Sequence, residues 1–319
     1  MIWRTRTLHD RVTHHSWINR LQTLLLIGLL LGISLLAGWL LFGKEGFWLV
    51  ILASIVILLV EPAAASRLTL KLYRACPIAP HEAPELYRIM AFLADRAGLA
   101  HMPTLYYIAS PMVNAFTVGN RRQAAIALTD GLLRCLSIRE TAGVLAHETA
   151  HIANGDLFVM GLADYISRLT SILALVGQIL LILALPSVLL GYAKINWAIL
   201  LLLVFSPYLT MLLQLGLSRV REFNADLKAI QLTGDPEALA AALAKIERVS
   251  HSWRAWILPG WGNPEPSWLR THPATEERIR RLLTLRSRHS GQWPNQPISY
   301  RVHSPRHSSP RWYPGGFWH

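Results

Sequence analysis

The chain has 319 residues, of which 52% are hydrophobic and only 16% are charged. This composition excludes disorder for most of the chain, because disordered chains are rich in charge and poor in apolar residues. The two cysteines form no paired motif, which excludes a fold held together by disulfides. The net charge of +12 is thinly spread along the chain, and this disfavours nucleic acid as a partner.

Long uncharged segments predict membrane-spanning helices. Four such segments occur in two pairs, which are 21–42 with 47–60 and 169–192 with 195–217. A helix of about 20 apolar residues crosses a bilayer, because its backbone hydrogen bonds are all internal. Two buried hairpins in a large soluble core are the alternative, but uncharged runs of this length disfavour it. The sequence therefore predicts two transmembrane hairpins, over 21–65 and 169–217.

The distribution of Lys and Arg predicts how these hairpins are oriented. The two short hairpin loops carry one such residue each, Lys44 and Lys194, and the other 29 of the 31 lie elsewhere. Cytoplasmic segments carry the excess of positive charge, and short loops follow this rule most strictly. Both termini and the segment between the hairpins are therefore expected in the cytoplasm. Anionic lipid next to these segments accounts for the net charge without nucleic acid.

The predicted fold is mainly α, with four transmembrane helices and a cytoplasmic α+β domain that contains a small antiparallel sheet. Apolar residues at helical spacing predict helices, and short β-favouring runs predict strands. The helices are expected at 81–99, 137–154, 218–233, 235–249 and 275–285, and the strands at 105–108, 113–118 and 125–128. Ser137 and Glu140 form a capping box at the start of the second helix, and Gly155 ends it.

These elements divide the chain into successive parts. A basic arm precedes the first hairpin, the soluble domain is split by the second hairpin, and a tail follows. Their bounds are 1–20 for the arm, 66–168 and 218–286 for the two parts of the domain, and 287–319 for the tail. The tail is rich in Pro, His and Trp, lacks acidic residues and is expected to be poorly ordered.

The second predicted helix contains the run His147-Glu148-Thr149-Ala150-His151. Residues four apart share a helix face, so both imidazoles can bind one ion while Glu148 stands beside it. Zinc proteases use this HExxH pattern, with the two His as ligands and the Glu as general base. The alternative is a set of solvated residues on an ordinary helix. The pattern predicts one Zn²⁺ per chain, bound in part by His147 and His151.

A catalytic zinc needs a third protein ligand and an open position for water. Glu222, directly beyond the last predicted span, is the candidate. Asp226 lies one turn later and is expected to accept a hydrogen bond from a ligand His. Asp156 and Asn154, at the end of the zinc helix, are further candidates for orienting the ligands. The alternative for Glu222 and Asp226 is a charged helix end at the membrane surface.

Several separated motifs together resemble one protein family. They are the HExxH helix with Asn154-Gly155-Asp156, the run Ser218-Arg219-Val220-Arg221-Glu222-Phe223-Asn224-Ala225-Asp226, and Thr271-His272-Pro273 followed by Glu276-Glu277-Arg278. Their order and the four-span layout are similar to those of the HtpX-type membrane zinc metalloproteases, which are relatives of the CaaX prenyl protease. The resemblance covers residues 20–285 and implies that the soluble domain is a metalloprotease domain.

The resemblance also implies roles for residues outside the metal pattern. His272 and Arg278 are implied to stabilise the oxyanion, with a helix-start residue and a solvated residue as the alternatives. Asn114, Ala115 and Phe116 resemble a family strand that lies along the cleft. Such a strand could bind an extended substrate by strand addition, and plain packing is the alternative.

The predicted function is that of a membrane-embedded zinc endopeptidase, which cleaves membrane or misfolded proteins at the cytoplasmic face. The resemblance implies a role in the quality control of membrane proteins, as part of a stress response. It also implies that the protein lies in a bacterial plasma (inner) membrane. The expected partners are polypeptide substrates and the lipid bilayer. The alternative is a membrane scaffold or transporter-like protein with a structural zinc, but a structural site has no use for Glu148 as a base.

Overall fold

The structure, a computed structural model, describes residues 2–59, 62–192, 196–254, 275–285 and 293–302. Its helices are α1 (Ile2–Leu59), α2 (Pro62–Leu72), α3 (Pro84–Arg96), α4 (Asp130–Cys135), α5 (Ile138–Asn154), α6 (Asp156–Leu189), α7 (Trp197–Thr233), α8 (Pro236–Arg254) and α9 (Thr275–Thr284). Its strands are β1 (Cys76–Pro77), β2 (Thr104–Ile108), β3 (Ala115–Gly119) and β4 (Ala124–Thr129).

The chain forms two compact units, each assembled from separate segments. Of the described residues, the first contains those up to 59 together with Pro62, Asn154–Leu227 and 275–278. The second contains Ala63–Ala153, 228–254, 279–285 and 293–302.

The described residues contain three helices that are long and apolar enough to cross a membrane, Leu21–Val56, Asp156–Leu189 and Ile199–Thr233. The first of them is interrupted at Gly43, whose φ of 63° and ψ of −141° lie outside the helical region and favour glycine. A Cβ at Gly46 would overlap the carbonyl oxygen of Gly38. Residues eight apart in a straight helix are about 12 Å apart, so the chain reverses at Gly43.

Both arms of α1 pack against α6 within the first unit. Ala37, before the reversal, and Val50, after it, share a buried cluster with Leu173 of α6. The hydroxyl oxygens of Ser34 and Thr170 lie 2.5 Å apart at the same face. Small and hydroxyl-bearing residues let helices approach closely in a bilayer, and this packing is of that kind.

The sheet lies in the second unit and is mixed, so the expectation of an antiparallel sheet is wrong. Its strand order is β1-β2-β4-β3, with β4 parallel to β2 and antiparallel to β3, and β1 antiparallel to β2. A hairpin joins β3 to β4, and β4 enters the sheet between β3 and β2. This strand, Ala-Ala-Ile-Ala-Leu-Thr, is almost entirely buried. A continuous apolar strand suits a central position that is covered on both faces.

Helix boundaries in the second unit follow the local sequence signals. α3 buries Leu86, Ile89 and Leu93, which have helical spacing. Before α5, the Ser137 N–H donates to Glu140 Oε2 and the Glu140 N–H donates to Ser137 Oγ, which confirms the capping box. Gly155 follows this helix with a φ of 72°. The predicted stop after α5 is therefore also confirmed.

Residues 293–302 pack against the rest of the second unit, so the expectation of a poorly ordered tail is wrong for this stretch. The Trp293 ring meets the Phe92 ring edge to face, with centroids 5.7 Å apart. The Tyr300 hydroxyl donates to Asp130 Oδ1 at 2.8 Å. Large aromatic side chains gain enough on burial to dock a segment that lacks regular secondary structure.

Candidate metal centre

α5 presents the two histidines of the HExxH run on one face. The Nε2 atoms of His147 and His151 lie 3.1 Å apart, and the rings are nearly perpendicular with centroids 4.6 Å apart. Two nitrogens bound to one tetrahedral zinc at 2.0–2.1 Å would lie about 3.3 Å apart. The observed spacing of the two nitrogens therefore fits a shared metal ion.

A third possible donor lies on a different helix. Glu222 of α7 is buried and ends in a carboxylate. Two imidazoles and one carboxylate form a donor set used by catalytic zinc sites, in which the fourth position stays open. His147, His151 and Glu222 therefore fit a zinc ion by their chemistry, and the two imidazoles also fit it by their spacing.

The start of α5 is held by a buried carboxylate. Glu140 Oε2 accepts hydrogen bonds from Ser137 and from Lys245 Nζ, the latter at 2.7 Å. Burial alone would raise the pKa of Glu140, but the bonds from Lys245 and Ser137 outweigh it and hold that pKa below its usual value. The neighbouring Arg139 makes a bidentate pair with Asp235, at 2.6 and 2.8 Å. These contacts fix the helix that carries the histidines.

A residue of the sheet holds the carboxylate of Glu148 by a hydrogen bond. Thr117 of β3 donates its hydroxyl proton to Glu148 Oε2 at 2.6 Å, and both residues are buried. Sequence reasoning did not identify Thr117, because a single hydroxyl residue in a strand forms no pattern with the HExxH helix. A Thr directly after the Asn114-Ala115-Phe116 run was the available signal.

Arg278 lies among carboxylates. Its Nε and Nη2 donate to the two oxygens of Asp226 at 2.8 and 2.6 Å, and its Nη1 lies 2.8 Å from Glu222 Oε2. All three residues are buried. The guanidinium thus makes a bidentate pair with one carboxylate and reaches a second one a helical turn away. This arrangement places Arg278 beside the candidate metal ligand Glu222.

The other residues singled out from the sequence lie in different surroundings. Asp156 is buried, and its Oδ1 accepts from Arg221 Nη1 at 2.8 Å. Asn154, the last residue of α5, is exposed, and its side chain makes no hydrogen bond to the described residues. His272 lies outside the described residues.

The proposed substrate strand forms one edge of the sheet. Ala115 and Phe116 begin β3, and Asn114 precedes it, with its backbone N–H bonded to Thr129 Oγ1 at 2.9 Å. β3 is last in the strand order, so in the described chain its outer edge pairs with no strand. The Phe116 side chain is buried and packs on the Tyr73 ring, with centroids 5.2 Å apart. An unpaired strand edge is the element that strand addition requires.

Comparisons with known proteins agree with these motifs. The model of peptidase family M48 matches residues 80–286. A protease HtpX homolog of Acaryochloris marina is 36% identical over 284 residues, covering 84% of this chain and 95% of its own. One from Persephonella marina is 33% identical and covers 85% and 99%. The crystal structure of S. mikatae Ste24p is 20% identical, with a TM-score of 0.48, and covers 86% of this chain and 67% of its own. The chain therefore belongs to peptidase family M48, and the HtpX-type resemblance of its motifs is confirmed.

Proposed function

We propose that the protein is a zinc-dependent endopeptidase whose metal ligands are His147, His151 and Glu222. The observation that carries this proposal is the pair of imidazoles on one face of α5, whose Nε2 atoms lie 3.1 Å apart. Glu222 completes the proposed ligand set, because the run that contains it resembles the family motif and its carboxylate is buried on α7. Membership of peptidase family M48 supports peptide-bond hydrolysis as the reaction. The ligand set is that of zinc hydrolases with two His and one Glu.

In this mechanism Glu148 transfers the proton. It accepts a proton from the attacking water and later donates it to the leaving amine. A zinc ion held by His147, His151 and Glu222 would polarise the scissile carbonyl and lower the pKa of water, so that Glu148 can remove a proton from it. We propose that His272 donates to the oxyanion, on the family resemblance. For Arg278 we propose that it holds Glu222 in position and does not contact the oxyanion, because its guanidinium is already directed at Asp226 and Glu222.

The arrangement in the membrane is also part of the proposal. The reversal at Gly43 supports two passes within Leu21–Val56, which with α6 and α7 would make four. The short loops at Lys44 and Lys194 carry two of the 31 basic residues, which favours a cytoplasmic face for the remainder. We place the protein in a bacterial plasma membrane with both termini in the cytoplasm.

The proposed substrates are membrane proteins or misfolded proteins, and the proposed role is quality control. The outer edge of β3, which pairs with no strand in the described chain, supports this, because strand addition reads the backbone of an extended segment and little of its side chains. A protease that binds in this way accepts many sequences, provided that they are unfolded.

Metal analysis of purified full-length protein in detergent tests the proposed ligands. Wild-type protein is expected to bind about one zinc per chain, and Glu222→Ala is expected to lose most of it, because a catalytic zinc needs its third protein ligand. Glu276→Ala, an exposed acid on α9, is the matched control and should keep the zinc. Full zinc occupancy in Glu222→Ala would remove Glu222 from the ligand set.

A further inference from the structure

A general base must present one carboxylate oxygen to the reacting water in a fixed position. Glu148 sits on α5 and has three rotatable side-chain bonds, so its helix does not determine where the two oxygens point. Freezing these bonds costs conformational entropy unless a contact holds them. The orientation of the carboxylate therefore needs an anchor.

Thr117 provides such a contact from a different element. Its hydroxyl donates to Glu148 Oε2 at 2.6 Å, a length typical of a hydrogen bond to a charged oxygen. Thr117 is 1% exposed and Glu148 is 9% exposed, so water competes little for this bond. Within the described part of the chain, this is the hydrogen bond that the structure gives the Glu148 carboxylate. It occupies Oε2 and leaves Oε1 for proton transfer.

The strand fixes the position of the hydroxyl in turn. Thr117 lies in the middle of β3 and pairs with Ile126 of β4, with ladder partners on both sides of it along the strand. Its β-branched side chain has restricted rotamers, so the hydroxyl is positioned by the sheet with little freedom of its own. The edge strand proposed to bind substrate thus also carries the hydroxyl that contacts the base.

We propose that Thr117 is a positioning residue for Glu148, holding Oε2 so that Oε1 faces the reacting water. The inference rests on the proposed function, because it assigns Thr117 a task in that reaction. It predicts that loss of the hydroxyl lowers kcat and leaves KM unchanged, because substrate and metal contacts stay in place while the base loses its orientation.

Three variants separate the hydroxyl from the shape of the side chain. Thr117→Val keeps the shape and removes the hydroxyl, whereas Thr117→Ser keeps the hydroxyl and removes a methyl. Thr141→Val is the matched control, because Thr141 is fully buried on α5 and its hydroxyl has no hydrogen-bond partner among the described residues. The assay is cleavage of an unfolded protein substrate by the zinc-loaded full-length chain in detergent, with zinc content measured for each variant.

The expected result is a fall in kcat of about 10- to 100-fold for Thr117→Val, with KM and zinc content unchanged. Thr117→Ser should keep kcat within about threefold of wild type, and Thr141→Val should match wild type. Wild-type kcat in Thr117→Val would overturn the proposal. An equal loss in Thr117→Ser, or a raised KM at unchanged kcat, would overturn it too.

A second measurement does not depend on activity. In metal-free protein, Thr117→Val should lower Tm by about 2–4 °C in the wild-type background, because it leaves a buried carboxylate unpaired. In the Glu148→Ala background the same change should shift Tm by less than about 1 °C. Equal Tm shifts in both backgrounds would show that Thr117 does not contact Glu148. If zinc-loaded wild type cleaves nothing, the proposed function fails, and this cycle still decides whether the contact exists.

Discussion

At the scale of single residues, Arg278 balances the charge beside the candidate metal ligand. Glu222, Asp226 and Arg278 are each at most 6% exposed, and isolated charges are costly to bury at such positions. The planar guanidinium meets both carboxylates at once, with two bonds to Asp226 and one ion pair to Glu222. A compact ammonium group cannot reproduce that geometry. Arg278 therefore fixes Glu222 in the position from which it would bind the metal.

Arg278→Lys tests this role. The variant keeps the charge but loses the bidentate geometry, so we expect zinc affinity to fall by about 10- to 100-fold, as for other residues that orient metal ligands. A competition titration with a zinc chelator measures the affinity. Arg280→Lys, on the exposed face of the same helix, should leave it unchanged. Equal zinc affinities in the two variants would show that Arg278 does not position the ligand.

At the scale of elements, the N-terminus of α5 is capped by contacts from three parts of the second unit, namely the tail, the capping box and α8. The first backbone N–H groups of a helix have no partner within the helix. Here the Ile138 N–H donates to the Gln296 carbonyl at 2.7 Å and the Arg139 N–H donates to the Pro294 carbonyl at 3.1 Å. Glu140 adds the capping box and the Lys245 pair. The helix that carries the HExxH run is therefore anchored at its start by the tail segment.

The depressed pKa of Glu140 predicts a pH-dependent contribution to stability. A carboxyl whose folded pKa is lowered stabilises the fold above its unfolded pKa, about 4.3, and loses that contribution as pH falls through the folded pKa. The Tm difference between wild type and Glu140→Gln should therefore be largest near pH 7 and shrink below about pH 4. Thermal unfolding of both proteins across this range measures it. A difference that stays constant with pH would contradict the assignment.

Local signals were enough to predict α3, α5 and α8, whereas α2 and α4 were not expected. The capping box of Ser137 and Glu140 and the stop at Gly155 depend on neighbouring residues, and both are confirmed. The His pair was equally accessible, because the spacing of His147 and His151 places both on one helix face.

Features set by long-range contacts could not be predicted in this way. The parallel pairing of β2 with β4 depends on strand order, and the apolar pattern of each strand carries no information about that order. Docking of 293–302 uses backbone carbonyls, such as those of Pro294 and Gln296, which every sequence offers. The Thr117 contact joins a strand and a helix 31 residues apart and leaves no periodic signal.

For the molecule as a whole, the length of its apolar helices and the uneven distribution of its Lys and Arg residues are together typical of a membrane protein. Three described helices are long and apolar enough to cross a membrane, and the first reverses at Gly43. In the proposed topology Lys44 lies in a loop between two passes, on the side opposite to the segments that carry most of the 31 basic residues.

Cysteine labelling in intact cells tests this topology. In a background with Cys76→Ser and Cys135→Ser, a membrane-impermeant maleimide should label Lys44→Cys directly, because the loop is expected outside the cytoplasm. Asp95→Cys, exposed on α3, should be labelled after permeabilisation and not before. Labelling of Asp95→Cys in intact cells, or protection of Lys44→Cys, would reverse the proposed orientation.

In the proposed mechanism Glu148 acts as general base beside a zinc ion bound by this chain. Glu148→Gln tests this role, because the amide keeps the size of the side chain and removes its capacity to take a proton. With zinc content and cleavage measured on the same sample, we expect about one zinc per chain and a fall in kcat of about 10²- to 10⁴-fold. Retained zinc with cleavage at the wild-type rate would contradict the mechanism.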